Sequence, residues 1–278
     1  MNIVKVFISV DMEGVACVTH IDHVKMEGKE YEIARKWMTG EANSAIEGAL
    51  DAGATTIVVA DGHGFMHNLL VEELHEDITL VSGSPRPLLQ MEGLDNSFDA
   101  IFFIGYHARA GDPIGTLAHT YVGKVVYEVR LNGNPVSEAT FNASIAGDFG
   151  VPVVLVAGDD ALANEVAETI PWAERVVTKW AVSASAARNL TPTTSQSQIK
   201  AAAKVALERL NEMKPLKLDG PILLEVEFLK NLYAHLVADI PGVVRVDGTT
   251  VSFEGEDMLE INRIWRLMIN ASLSDFPV

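Results

Sequence analysis

The chain has 278 residues, 48% of them apolar, with 38 acidic against 21 basic side chains and a net charge of −17. That apolar content is enough for a substantial core and excludes a disordered chain, while the negative field argues against nucleic acid and anionic membrane surfaces as partners. Cys17 is the single cysteine, which rules out an intramolecular disulfide and a thiolate metal cluster and leaves His, Asp and Glu to hold any metal.

The run Ile3-Val4-Lys5-Val6-Phe7-Ile8-Ser9-Val10 reads as a strand buried on both faces, and it ends at Asp11-Met12-Glu13-Gly14. In extended geometry Asp11 and Glu13 point the same way, and Gly14 lets the chain turn beneath them. This suits a metal site; taken alone, a helix-capping Asp11 beside a solvated Glu13 is an equally good reading. An irregular stretch to about Glu27 precedes two expected helices, Lys29 to Lys36 and Thr39 to Asp51.

Thr56 to Ala60 is a second buried strand, and it delivers Asp61-Gly62-His63-Gly64. A histidine between glycines at a strand end is exposed and free to be aimed. His67-Asn68 is expected to cap a following helix. A short strand at Ile78 to Val81 and a short helix at Pro85 to Met91 lead to a third long apolar strand, Ala100 to Gly105, which ends in Tyr106-His107-Ala108-Arg109. Three buried strands thus deliver a carboxylate pair or an imidazole at the same topological position, where open α/β sheets place their chemistry.

Further on, His119 lies in a Gly-rich loop, and Asn132-Gly133 between Val125 to Arg130 and Pro135-Val136 signals a two-residue hairpin. Glu138 opens a helix to Phe149, where an acidic residue also has a purely local reason to sit. Pro152 to Gly158 is another buried strand, and Asp159 is expected to cap the helix Ala161 to Thr169 rather than to bind metal. Arg175 to Ala181 (strand), Ser195 to Met213 (helix), Pro221 to Phe228 (edge strand), Val243 to Phe253 (one or two strands) and Glu256 to Leu273 (helix) complete the chain. The expected fold is α/β: a mostly parallel sheet flanked by helices, with a smaller α/β or α+β lobe. A metal-binding domain over residues 1–190 and a C-terminal lobe over 191–278 are expected.

Asp11, Glu13, His63, His107 and Glu138 form a set of three carboxylates and two imidazoles that suits a pair of borderline divalent ions, zinc above all, with Asp11 as the bridging ligand. The runs Ser9-Val10-Asp11-Met12-Glu13-Gly14, Asp61-Gly62-His63, Gly105-Tyr106-His107-Ala108-Arg109-Ala110 and Ala157-Gly158-Asp159-Asp160 resemble those of the D-aminopeptidase family of zinc peptidases. The resemblance implies a binuclear zinc centre on those five ligands and an additional catalytic histidine at His119. It also implies release of N-terminal D-amino acids from short peptides or amides, and a ring-shaped homo-decamer with active sites facing an enclosed chamber. The family often has a serine before the histidines that here follow Gly62 and Ala118, a departure that bears on second-shell hydrogen bonds. Attack by hydroxide held at the metal pair, with His119 as a hydrogen-bond donor or proton carrier, is the expected chemistry.

A binuclear phosphoesterase and a non-catalytic metal- or ligand-binding module are the competing readings; the first would want cationic clamps, and only Arg109 lies in the motifs. With neither a leader pattern nor an apolar run of about 20 residues, the chain is expected to be cytoplasmic.

Overall fold

The computed structural model describes residues 4–273. Its first sheet is built from the long apolar runs. Strands β1 (Lys5–Val10), β2 (Thr56–Asp61), β3 (Thr79–Val81), β4 (Ala100–Tyr106), β7 (Val153–Asp159) and β8 (Glu174–Ser183) lie parallel, and β9 (Ala186–Asn189) closes the edge antiparallel to β8. The spatial order is β3-β2-β1-β4-β7-β8-β9. From β1 the chain moves outward to β2 and β3, then returns to lay β4 on the other side of β1. The carboxyl ends of β1 and β4 therefore flank a topological switch point, where a crevice opens.

Both faces of this sheet are covered, which is why its strands lack polar alternation. Val6, Ile8 and Val10 face α2 (Tyr31–Asp51) and α5 (Pro192–Glu208), packing with Met38, Ala42, Ile46, Ile199 and Ala203. On the other face Phe7, Ile101 and Phe103 begin a core that runs through Phe141 on α3 (Glu138–Asp148) and Leu162 on α4 (Asp160–Thr169). It continues through Trp265 on α7 (Met258–Ser272) to Leu224 and Val226 of a second sheet. That sheet is antiparallel, ordered β11-β12-β10-β5-β6, and comprises β5 (Val126–Leu131), β6 (Asn134–Pro135), β10 (Ile222–Phe228), β11 (Val244–Arg245) and β12 (Thr250–Gly255). The fold class is as the sequence led us to expect. The turn between β5 and β6 has positive φ at Asn132 (50°) and Gly133 (79°), the geometry such a pair adopts in a two-residue hairpin.

Four local expectations need correction. The two helices expected at Lys29 to Lys36 and Thr39 to Asp51 are one continuous helix, α2, because Trp37 and Met38 carry no stop signal and Met38 is buried against the sheet. Pro85 to Met91 forms only a 3-10 turn at Leu89–Met91. Pro221 to Phe228 yields β10 at the centre of its sheet, not an edge: its alternating burial records one covered face, which a central antiparallel strand also has. The short strand β9 was not expected.

The two sheets interleave along the chain. The hairpin β5–β6 joins strands from beyond residue 220, while α5 packs on α2 and the first sheet. A division into units at residue 190 is a proposal about autonomous folding only. No helix of the described residues is long and apolar enough to cross a membrane.

Candidate metal centre

Two loops interlock to build the floor of the crevice. Beyond β1, Asp11 N–H donates to Ile104 O and Gly14 N–H to Gly105 O, each at 2.8 Å. The approach is too close for side chains: a Cβ on Gly14 would lie 1.7 Å from Tyr106 O, and one on Gly105 would lie 2.1 Å from Asp11 O. Asp11 and Glu13 are thereby fixed against the end of β4, which presents His107. Lys179 on β8, fully buried, holds the same loop from behind, donating to the carbonyls of Glu13, Val15 (3.3 Å) and Val18. Burial pulls its ammonium down to about 8.

All six singled-out residues converge. His63 Nδ1 lies 3.0 Å from Glu13 Oε2 and 3.4 Å from Asp11 Oδ1; His107 Nε2 lies 3.5 Å from Glu138 Oε1 and 3.6 Å from Asp11 Oδ2; His119 Nε2 lies 3.9 Å from Glu13 Oε1. The two oxygens of Asp11 face different imidazoles. His119 stacks on His107 with ring centroids 4.4 Å apart, and its Nε2 also falls within reach of an ion held by His107 and Glu138.

Each imidazole commits one nitrogen to a backbone carbonyl: His63 Nε2–H donates to Val24 O (2.8 Å), His107 Nδ1–H to Ala108 O (2.9 Å) and His119 Nδ1–H to Leu117 O (2.9 Å). A carbonyl only accepts, so these nitrogens carry hydrogens and the opposite ones face the carboxylates. His107 Nε2 is buried with no hydrogen-bond partner. A neutral imidazole would set bare nitrogen lone pairs against carboxylate oxygens, an arrangement that only a proton or a cation between them makes favourable. The donor set is that of zinc sites, nitrogen and carboxylate oxygen with the far imidazole N–H pinned, so the residues fit the metal.

The electrostatics have the same cause. Burial raises Asp11, and the neighbouring Glu13 charge adds to it, to about 7. Burial alone pulls His107 down, but the adjacent Glu138 carboxylate, then Glu13 and Asp11, reverse this and push it to about 10. Burial opposes the charge of Glu13 too, yet His63 beside it holds it well below the usual carboxylate range. The field that would hold protons on these rings is the field that holds a divalent cation. His119 is the exception: burial and the His107 charge hold it below the ordinary imidazole value.

The supporting shell was not legible in the sequence. Glu138 is the first residue of α3, which Ser137 caps by accepting from Thr140 N–H; Glu138 Oε1 accepts from Tyr121 N–H (2.7 Å) and Oε2 from Gln90 Nε2 (2.6 Å). Gln90 is oriented in turn by Asn142 Nδ2 donating to its Oε1 at 2.6 Å. No motif marks Gln90 or the Tyr121 amide. Asp159 is the expected cap, accepting from Leu162 N–H (2.8 Å) and Ala108 N–H (3.0 Å). Asn68 caps no helix: it ties the His63 loop together, donating to Asp61 Oδ1 and His63 O, while exposed His67 turns to the Phe65 carbonyl and ring. Arg109 is engaged by Glu128 at 3.3 Å.

A family model described as D-aminopeptidase matches residues 4–267. The chain belongs to the D-aminopeptidase family. A D-aminopeptidase of Bacillus subtilis (strain 168) is 36% identical over 273 residues, 97% of this chain and 98% of that protein. A solved structure described as the Zn-dependent D-aminopeptidase DppA from Bacillus subtilis, a self-compartmentalizing protease, superposes with a TM-score of 0.94 at 36% identity, covering 98% of this chain and 100% of that one. The D-aminopeptidase fold therefore extends over both sheets of this chain.

Proposed function

We propose that this chain is a zinc-dependent aminopeptidase that releases D-amino acids from the N-termini of short peptides. Two zinc ions per subunit are held by Asp11, Glu13, His63, His107 and Glu138. The observation that carries the reading is the pinned orientation of the imidazoles, each with one nitrogen on a backbone carbonyl and the other turned into three buried carboxylates. His63 with Glu13 and His107 with Glu138 would hold one ion each, and Asp11, whose two oxygens face the two imidazoles, would be shared between them. Family membership and the relatives described as a D-aminopeptidase and a Zn-dependent protease support the same conclusion.

Zinc bound there polarises a peptide carbonyl and makes water a nucleophile at neutral pH. The chain's own groups do the rest. His119, partly exposed at the cluster's mouth and held neutral, accepts a proton at Nε2 from the attacking water and returns it to the leaving nitrogen, its Nδ1–H fixed by Leu117 O. Arg109, the one cation in the motifs, is paired with Glu128, so a phosphate clamp there has no support.

The subunits act as a homo-oligomer, a decamer by family resemblance and in keeping with a relative described as self-compartmentalizing, and the protein works in the cytoplasm. Zinc analysis with a screen of D- and L-amino-acid peptides and amides, metal-loaded against metal-stripped, tests the activity; hydrolysis indifferent to metal removal would overturn it. Light scattering tests assembly, since a monodisperse species at the monomer mass of 30.1 kDa contradicts it.

A further inference from the structure

Two cavities meet at the metal cluster, and their chemistry is opposite. The smaller, about 120 Å³, is lined by Asp11, Glu13, Glu138 and His63, with Gln90 and Met66. The carboxylates and His63 are side chains proposed above to hold the metal, so this is the space that the zinc ions would occupy. The larger, about 660 Å³, shares Glu13 and His119 with the first and runs out past Val24, Leu117 and Gly123. Its volume lies in the ordinary range for small-molecule sites.

The larger cavity also carries Lys25 and Lys124. Both are exposed, and among the described residues neither ammonium has an ion-pair partner. The cavity's own acid, Asp112, has Oδ1 turned into its loop, accepting from Ile114 N–H (2.9 Å) and Gly115 N–H (2.8 Å). What sets these two apart is their place, since they are the two lysines that line the cavity and no arginine lines it.

Their backbones are tied to the site. Lys25 follows Val24, whose carbonyl accepts from His63. Lys124 follows Gly123, which lies so close beneath His119 that a Cβ there would sit 2.9 Å from the His119 Cβ. Each lysine is thus one residue from a contact with an imidazole of the cluster.

Resting on the aminopeptidase reading above, we infer that the larger cavity receives the C-terminal part of a short peptide and that Lys25 and Lys124 bind its free α-carboxylate. The amino end then points toward the metal cluster, with the peptide bond beside Glu13 and His119, which both cavities share. The substrate class follows: peptides of a few residues with an unblocked C-terminus, in preference to C-terminal amides. The lysines take no part in bond cleavage.

The test compares D-alanylglycine with D-alanylglycinamide as substrates for the zinc-loaded full-length protein. Because both lysines are solvated, the preference for the free acid is expected to be about tenfold in kcat/KM, expressed in KM, and to shrink as salt rises. The Lys25→Met/Lys124→Met double variant, at unchanged zinc content, should bring the ratio close to one, and Lys124→Glu should lower it as well. Lys204→Met, which removes the same charge from α5 away from the cavity, should leave the ratio alone. Equal handling of acid and amide by the active wild type overturns the inference while the aminopeptidase reading stands, as does a parallel loss on both substrates in the double variant. Cleavage of neither by zinc-loaded protein overturns both.

Discussion

The two sheets are built on opposite rules, and only one of them carries chemistry. In the first, parallel strands covered on both faces all surface at the same edge, so the polar residues that follow β1, β2 and β4 meet although they lie far apart in sequence. In the second, antiparallel strands end alternately at opposite edges, and β10 alternates buried with partly exposed residues along its length. No convergence results. What that sheet contributes is apolar surface, with Leu224, Val226 and Phe228 buried in the core shared with α3 and α7. Damage to the first sheet's edge should remove function and spare the fold; damage to the second sheet's core should do the reverse.

The sharpest way to break this contrast is Asp11→Ala. Asp11 is the one carboxylate facing both His63 and His107, so its loss should cost both zinc ions and lower activity by about 10³-fold or more. Elemental analysis and kinetics read it. Full zinc content in the variant would show that Asp11 does not bridge. Folding should survive, because removing Asp11 also relieves the repulsion from Glu13 that helps raise its protonation to about 7.

The converse experiment is Leu224→Ala in β10. Leu224 is fully buried, and truncation should cost about 2–5 kcal/mol in urea unfolding of the metal-free protein. Zinc stoichiometry of the folded fraction and its KM should match wild type. A fall in zinc per folded chain would mean that the second sheet supports the site directly, and the division of labour would be wrong.

The contrast also explains what was legible in the sequence. Buried parallel strands announce themselves as continuous apolar runs, and a run stopped by Asp-x-Glu, Gly-His-Gly or Tyr-His places its chemistry without knowledge of the tertiary fold. The residues that orient those ligands do not. Gln90 sits in a 3-10 turn with no pattern of its own and reaches Glu138 only because the chain folds back, while Tyr121 contributes a backbone amide that any residue could supply. In the second sheet, the alternation of β10 reports which face is covered but not how many neighbours flank the strand, so a central strand and an edge strand read alike. The gap expected in α2 at Trp37-Met38 was a local reading that packing against β1 overrode.

Within the site, His119 separates proton handling from metal binding. His119→Ala should retain zinc and fold while kcat falls about 10²-fold with KM little changed, whereas His63→Ala or His107→Ala should lose metal as well. Zinc content is the discriminating readout. Near-normal kcat in His119→Ala with zinc bound would remove His119 from the mechanism; lost zinc would make it a ligand, a position its proximity to His107 and Glu138 allows.

The smallest effect on activity concerns a buried acid one layer away from the cluster. Glu41 on α2 is fully buried; its Oε1 accepts from Ala16 N–H (3.0 Å) and Ser195 Oγ–H (2.7 Å), but Oε2 has no partner and no imidazole faces it. Burial raises its carboxyl to about 7, more than the two hydrogen bonds and the Lys179 charge lower it. The folded chain therefore keeps a proton on Glu41 between about 4.5 and 7 that the unfolded chain releases. Its contribution to stability is full below about 4.5 and declines as pH rises through about 7, where it levels off. Glu41→Gln keeps the Oε1 acceptor and cannot ionise, so that decline should vanish. Relative to wild type, the variant should gain on the order of 3 kcal/mol between pH 4.5 and 8 in urea unfolding of metal-stripped protein. Parallel pH profiles would show that Glu41 is ionised in the folded state throughout. The neighbouring cluster would then not be unique among the described residues in stabilising a buried carboxylate charge, and the burial of its acids would say less about a cation than their facing imidazoles do.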